Sequence, residues 1–186
     1  MDSNYKLSDK DISNIIGPSQ CEVVTYPQLS KYKSINQMFA NKPVKVILYV
    51  NEKTGNTLSG HWTIATKNGN RVDYLDSYGG LPDEPMVEWY SDQHKEETGQ
   101  DVNYLSRMCH KFIKEGGSVH YNNKQLQKFS PDINTCGRYC ALFGRNYKIG
   151  VEKFDKILRK EAKGNGIGLD GYVTQLSNYI MDKSIV

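Results

Sequence analysis

The chain of 186 residues is 38% hydrophobic and 24% charged, and its formal net charge is only +3. This composition is typical of a globular protein long enough to bury a core, and we expect a single domain over residues 1–186. The near-balance of charge does not indicate a dedicated nucleic-acid-binding protein. Weak, non-specific contact with DNA stays open as a hypothesis.

Neither export nor membrane insertion is expected from the sequence. The first residues, MDSNYKLSDKDIS, lack a basic segment followed by an apolar run, which a secretion signal requires. No stretch approaches the ~18 uninterrupted apolar residues of a membrane span. Four cysteines in 186 residues are too few for a disulfide scaffold, so we expect an intracellular, reducing setting.

The first half of the chain predicts two helices followed by about three strands. Residues 8–16 have a capping serine and isoleucines at helical spacing, whereas residues 27–39 show a weaker helical pattern. The run VKVILYV is typical of a buried strand, and HWTIATK and RVDYLDSY flank the turn NGN as in a hairpin. We predict the polar segment NEKTGNTLSG to be a loop. The three predicted strands span residues 44–50, 61–67 and 71–78, and the predicted loop spans residues 51–60.

The second half is predicted to be mainly helical. After the turn residues GGLPDEP we predict one helix, then a second that ends at a glycine pair, a short strand SVHYNN, and three more helices. The first helix lies near residues 85–98, and the next contains Met108, Phe112 and Ile113. Of the last three, one is formed by CGRYCALFGRNY and the other two span 151–163 and 170–182. The expected fold class is therefore α+β, with a small mixed sheet flanked by helices.

The stretch NTCGRYC, residues 134–140, contains two cysteines on one predicted helical turn. The Cys136-x3-Cys140 spacing is not that of a zinc site, and no second cysteine or histidine pair accompanies it, so we expect no metal. Positions i and i+4 of a helix rarely meet disulfide geometry. Cys140, between Tyr139 and Ala141, is best interpreted as a core cysteine.

Cys136 differs from Cys140 because it is predicted to lie in the first turn of the helix. The preceding SPDINT contains Asp132 and Asn134, which suit a turn and a helix cap. Unpaired backbone N–H groups and the helix dipole stabilise a thiolate at such a position. Gly137 would leave room for a substrate backbone. These features favour a nucleophile, with a second buried core cysteine as the alternative interpretation.

A cysteine nucleophile requires a base and a group that orients the base. His61 begins a predicted strand directly after a predicted loop, and Asp76 ends the next strand. If these strands pair through the NGN turn, we expect the two side chains opposite each other, with Asp76 fixing the imidazole tautomer. Asp73 is a rival carboxylate nearer the turn. His94, in a charged run, is expected to be solvated.

The motifs GHW, YLDSYG and NTCGRYC together resemble those of adenovirus-type (adenain-like) cysteine endopeptidases. These enzymes share a broad fold group with the proteases specific for SUMO and other ubiquitin-like proteins. The Cys-Gly-x-Tyr-Cys form is most similar to the maturation proteases of virophages and Polinton/Maverick elements. The resemblance extends over about residues 8–150 and implies a papain-like arrangement with the nucleophile at a helix N-terminus.

The resemblance also implies roles for individual residues. Cys136 would attack the scissile carbonyl as a thiolate, His61 would be its ion-pair partner and proton donor, and Asp76 would orient His61. Trp62 and Gly137 would line the substrate cleft. Substrates would be capsid and core precursors cleaved next to glycine during virion maturation, because a narrow cleft rejects side chains there.

One feature departs from the family pattern. Family members usually carry a glutamine about six or seven residues before the cysteine, and its amide binds the oxyanion. Here Ser130 and Phe129 occupy those positions. Either Gln127 reaches the site across a longer loop, or Ser130 and the Cys136 backbone N–H replace it. Losing one oxyanion donor costs on the order of 10²–10³ in rate, so the departure does not predict inactivity.

Partners and alternatives follow from the same resemblance. No cofactor is required, although activation by DNA or a short viral peptide is a hypothesis, and the basic run KILRKEAK is more typical of a solvated helix face. We expect a monomer, in the virion or in the host cytoplasm or viral factory during assembly. The alternative functions are removal of ubiquitin-like modifiers and a non-catalytic binding protein that keeps the fold.

Overall fold

A five-stranded mixed sheet with strand order β1-β2-β3-β4-β5 forms the centre of the protein. The computed structural model describes residues 4–54 and 57–183. Strands β2, β3 and β4 are antiparallel neighbours, and β1 and β5 add to the two edges in parallel orientation. The strands are β1 (Cys21–Thr25), β2 (Val44–Thr54), β3 (Thr57–Asn68), β4 (Arg71–Asp76) and β5 (Ser118–Tyr121).

Helices cover both faces of this sheet. They are α1 (Asp9–Ile16), α2 (Ile35–Met38), α3 (Glu84–Trp89), α4 (Asp92–Thr98), α5 (Tyr104–Lys114), α6 (Cys136–Arg145), α7 (Val151–Gly164) and α8 (Leu169–Lys183), with 3₁₀ turns at Tyr26–Lys31 and Tyr147–Ile149. The α+β prediction, with a small mixed sheet flanked by helices, is confirmed. No helix within the described ranges has both the length and the hydropathy of a membrane span.

Three of the predicted elements were wrong in detail. The single helix predicted over 27–39 is a 3₁₀ turn that begins beside Pro27, followed after an extended Tyr32 by the short α2. The helix predicted near 85–98 is interrupted at Tyr90, whose backbone is extended, and therefore forms α3 and α4. The loop predicted over 51–60 instead continues β2 and β3, because its backbone pairs across the ladder, for example Lys53 with Leu58. Residues 55 and 56 of that prediction lie outside the described residues.

Two apolar cores lie on opposite faces of the sheet. Helices α1, α6, α7 and α8 pack over one face, where Ile12, Ile64 and Phe143 are fully buried. The opposite face is covered by the first 3₁₀ turn, α2 and α5, around the buried rings of Tyr26 and Tyr49. The first core fixes α6 against β3 and β4, and this packing sets the position of the α6 N-terminus relative to the sheet.

Gly60 lies where the backbones of β2 and β3 approach each other closely. The register of the two strands shifts between Val50 and Glu52, as at a β-bulge, and Gly60 pairs with Val50. A Cβ atom at Gly60 would lie only 1.8 Å from the carbonyl oxygen of Tyr49. Glycine is therefore required here by the close approach of the two backbones, and it directly precedes His61.

We predict that Gly60→Ala lowers the free energy of unfolding by about 2 kcal/mol or more, because the backbone of β3 must move away from β2 to admit the methyl group. Gly164→Ala is the matched control, since a Cβ there meets no atom within 4 Å. Urea unfolding followed by circular dichroism measures both. Equal stability of the two variants would contradict this account of the bulge.

Candidate active site

Cys136 is the first residue of α6 and lies half-buried in the wall of a groove. The predicted cap is wrong: Thr135 precedes the helix, and Asn134 donates its amide to Asn4 instead. The Thr135 hydroxyl donates to the buried Asp170 carboxylate at 2.5 Å, and the backbone N–H of Lys128 donates to the same carboxylate at 3.0 Å. Asp170, from α8, therefore fixes the position of the segment that precedes Cys136.

His61 and Asp76 are brought together by the pairing of β3 with β4. The His61 Nε2 atom lies 2.8 Å from Asp76 Oδ1, and both residues are buried. The register differs from the prediction, because Asp76 is directly opposite Thr63 rather than His61. His61 lies two residues from Thr63 and therefore on the same face of β3, so the two side chains still meet.

Asp76 is held in place by several hydrogen bonds. Asn122 bonds to both backbone groups of Asp76, accepting from its N–H at 3.0 Å and donating to its carbonyl at 2.6 Å. The backbone N–H of Tyr78 donates to Asp76 Oδ1 at 2.8 Å. The rival carboxylate, Asp73, is engaged elsewhere, since it accepts from the Arg71 guanidinium and the backbone N–H of Val151.

The electrostatics of the site favour a thiolate–imidazolium pair. Burial disfavours the charged imidazole, but the charge and hydrogen bond of Asp76, together with Cys136, raise the pKa of His61 to about 10. Burial likewise opposes the thiolate, but His61 and the backbone N–H groups of Trp62 and Gly137 lower the pKa of Cys136. By contrast, burial raises the pKa of Cys21 to about 11 and that of Cys109 to about 12. Cys136 is thus chemically distinct from these two thiols.

Two cavities adjoin Cys136. The larger, of about 580 Å³, is lined by Trp62 and Gly137 together with apolar side chains from the N-terminal segment, β1 and β2. The smaller, of about 390 Å³, contains His61 and Gln127. A Cβ at Gly137 would come within 3.1 Å of Ile12 and 3.3 Å of Trp62, so glycine there serves the packing of α6 as well as the cavity wall.

Two aromatic rings, those of Tyr78 and Trp89, contact the His61 imidazole. The Tyr78 ring stacks on the imidazole with centroids 5.0 Å apart, and the edge of Trp89 approaches at the same distance. Phe129 stacks on Tyr78 at 4.1 Å and is 68% exposed. These rings limit the orientations open to the imidazole, and they form part of the smaller cavity.

The structure separates the two oxyanion candidates. Gln127 is buried and lines the same cavity as Cys136 and His61, although it precedes the cysteine by more residues than the family pattern has. Ser130 is not among the residues that line either cavity next to Cys136. The described residues include no group of three or more histidine, cysteine, aspartate or glutamate side chains arranged to hold a metal ion.

Several residues of the site were missed in the sequence. Tyr78 lies within the YLDSYG motif, two residues after Asp76, and this proximity to the carboxylate was the available signal. Asn122 and Asp170 carried no local signal, because they reach the site only through the pairing of β4 with β5 and the packing of α8 against α6. His94 was predicted to be solvated, but it is half-buried and its Nε2 atom lies 2.9 Å from the carbonyl oxygen of Val50.

The sequence is similar to a virophage protein. It is 32% identical over 137 residues to a protein of Sputnik virophage described as "Uncharacterized protein V9", and the match covers 73% of each chain. The chain belongs to the same family as this virophage protein. No protein-family model matches the sequence. The relationship supports a virophage origin for this chain.

We predict that Asp76→Asn raises the pKa of the Cys136 thiol by about 1 or more, because a neutral amide no longer stabilises the imidazolium that pairs with the thiolate. The rate of alkylation by iodoacetamide, followed at each cysteine by mass spectrometry across pH, measures this change. In the wild type, Cys136 should remain reactive below the ordinary thiol pKa of about 8.5.

Asp73→Asn is the control for this experiment, since Asp73 lies on the same strand and is equally buried but bonds to Arg71 and Val151. It should destabilise the fold without moving the pH profile of Cys136. A profile that is unchanged in Asp76→Asn, or one that shifts equally in both variants, contradicts the assigned role of Asp76.

Proposed function

We propose that this protein is a cysteine endopeptidase that hydrolyses peptide bonds next to glycine in viral capsid or core precursors during virion maturation. The observation that carries the proposal is the arrangement of Cys136, His61 and Asp76. A half-buried thiol at a helix N-terminus contacts an imidazole, and a buried carboxylate lies 2.8 Å from the Nε2 atom of that ring. This is the geometry of an activated thiol nucleophile.

Each of the three side chains has a defined part in the proposed reaction. The Cys136 thiolate attacks the scissile carbonyl carbon, and the carbonyl electrons move to oxygen to give a tetrahedral oxyanion. When this species collapses, the His61 imidazolium gives its proton to the departing amine and leaves a thioester on Cys136. The neutral imidazole then takes a proton from water, and the resulting hydroxide attacks the thioester carbonyl carbon. The C–S bond breaks, which releases the acid product and restores the Cys136 thiolate beside the His61 imidazolium. Asp76 orients the ring throughout.

The position of Cys136 supplies part of the stabilisation that this reaction needs. The first N–H groups of a helix lack intrahelical acceptors, and they carry the positive end of the helix dipole. The backbone N–H of Cys136 is such a group. A developing oxyanion next to the nucleophile is therefore placed at the favourable end of α6.

Three considerations support the proposed substrates. Two cavities include Cys136 in their lining, and their volumes of about 580 and 390 Å³ can accommodate side chains of a polypeptide. Trp62 lines one of these cavities and Tyr78 the other, and a glycine at the cleaved bond brings no side chain to clash with these rings. The virophage relationship supports a viral protein as the substrate. Activation by DNA or a viral peptide, and a monomeric state, belong to the same proposal.

The test is cleavage of unassembled virophage capsid protein and of a glycine-containing peptide library, with and without added DNA. We expect cleavage by the wild type and a loss of at least about 10³-fold in Cys136→Ala. Cys140→Ala is the matched control, because Cys140 lies one turn further along α6, is fully buried and should not contribute to the chemistry.

The two alternative functions give different outcomes in this test. Cleavage of a SUMO-type fusion with no cleavage of capsid protein would show a deconjugating enzyme instead. A wild type that cleaves no substrate under any of these conditions, with Cys136 alkylated no faster than Cys109, would indicate a binding protein that keeps the fold.

A further inference from the structure

The Gln127 side chain is held by three hydrogen bonds. Its Oε1 atom accepts from the Ser77 hydroxyl at 2.9 Å, and its Nε2 atom donates to the carbonyl oxygen of Ile133 and to the Tyr78 hydroxyl, both at 3.0 Å. A carbonyl oxygen can only accept, so the bond to Ile133 fixes which end of the amide is the nitrogen. Both N–H groups of Gln127 are therefore engaged within the protein.

The Tyr78 hydroxyl remains a donor. It accepts from Gln127, and no described residue accepts a hydrogen bond from it in turn. A phenol both donates and accepts, so its proton is available to a ligand. Tyr78 and Cys136 line the same cavity, and the Tyr78 ring stacks on His61 at 5.0 Å. The Tyr78 ring is thus held against His61 by stacking, and Gln127 fixes the position of its hydroxyl.

The ionisation of Tyr78 is consistent with a donor. Burial, followed by the negative charges of Cys136 and Asp76, raises the pKa of Tyr78 to about 12. The phenol therefore keeps its proton at neutral and moderately alkaline pH. A neutral phenol is a good hydrogen-bond donor to an anion.

We propose that the Tyr78 hydroxyl donates a hydrogen bond to the oxyanion formed when Cys136 attacks a carbonyl group, together with the Cys136 backbone N–H. Gln127 is then a positioning residue that holds Tyr78 and is not itself the donor. In its application to peptide bonds this inference rests on the proposed function. The stabilisation of an oxyanion at Cys136 can nevertheless be measured without a peptide substrate.

The probe is p-nitrophenyl acetate. The Cys136 thiolate attacks its carbonyl carbon, a C–S bond forms, and the carbonyl electron pair moves to oxygen. Collapse of this oxyanion breaks the C–O bond to the leaving group and releases p-nitrophenolate, leaving an acetyl thioester on Cys136. Iodoacetamide reacts with the same thiolate by displacement of iodide and forms no oxyanion. The ratio of the two rates therefore reports oxyanion stabilisation separately from thiolate reactivity.

We expect Tyr78→Phe to lower the rate of acetylation on the order of 10- to 10²-fold while alkylation changes by less than about twofold. Phenylalanine keeps the ring that stacks on His61 and Phe129 and removes only the hydroxyl. Tyr179→Phe is the matched control, because the Tyr179 ring is 58% exposed and does not line the cavities next to Cys136. It should change neither rate.

A double-mutant cycle separates Tyr78 from Gln127. If Gln127 acts only by holding Tyr78, Gln127→Ala should slow acetylation in the wild-type background and have no further effect in Tyr78→Phe. A Gln127→Ala effect of equal size in both backgrounds would overturn the inference and make Gln127 an independent donor. Unchanged acetylation in Tyr78→Phe, or acetylation and alkylation that fall together, would also overturn it.

Failure of this inference is distinguishable from failure of the proposed function. A wild type that is acetylated in a Tyr78-dependent manner but cleaves no peptide supports the oxyanion assignment and contradicts the proposed peptidase activity. If the wild type cleaves peptide and Tyr78→Phe cleaves it at the same rate, the peptidase activity is supported and the role of Tyr78 in oxyanion stabilisation is contradicted.

Discussion

The contact between Cys136 and His61, with Asp76 behind the imidazole, is the interaction on which the rest of the account depends. An imidazolium and a thiolate in a partly buried site are each destabilised by loss of water. They persist together only if the attraction between their opposite charges compensates for the lost hydration, and only if a third group fixes the ring. Asp76 does this from a fully buried position. Since Asp76 Oδ2 has no hydrogen-bond partner among the described residues, the hydrogen bonds of this carboxylate are concentrated on the oxygen that faces His61.

The fold can be understood as the framework for this contact. Pairing of β3 with β4 sets the separation of His61 and Asp76, and the close approach of β2 at Gly60 fixes the end of β3 from which His61 projects. The core between α6 and the sheet places the cysteine against the histidine from a third direction. Because these three constraints come from different parts of the chain, the site forms only when the domain has folded, and a local sequence change far from it can move the reacting atoms.

Much of this arrangement could be predicted from the sequence. The hairpin turn NGN and the β-branched runs around it predicted the antiparallel strands, and the expected pairing of these strands brought His61 and Asp76 near each other. The exact register could not be obtained in this way, because it depends on where β3 pairs with both of its neighbours. The extension of β2 and β3 through a polar segment was missed for a similar reason, since backbone pairing, not side-chain burial, stabilises it. Asn122, Asp170 and the bonds of Gln127 to Tyr78 depend on contacts between distant segments, and local patterns carry no information on these.

The most direct test of the central claim is the protonation state of His61, measured by ¹H–¹⁵N NMR of the histidine side chains across a pH titration. The account predicts that both ring nitrogens of His61 are protonated at about pH 7 and that the proton is lost near pH 10, where the pKa of His61 is about 10. In Cys136→Ser, which removes the thiolate, the pKa of His61 should fall, while the other histidines titrate as in the wild type. A His61 ring that is neutral at about pH 7, and whose titration is the same in Cys136→Ser, would contradict the ion pair and with it the account of the site.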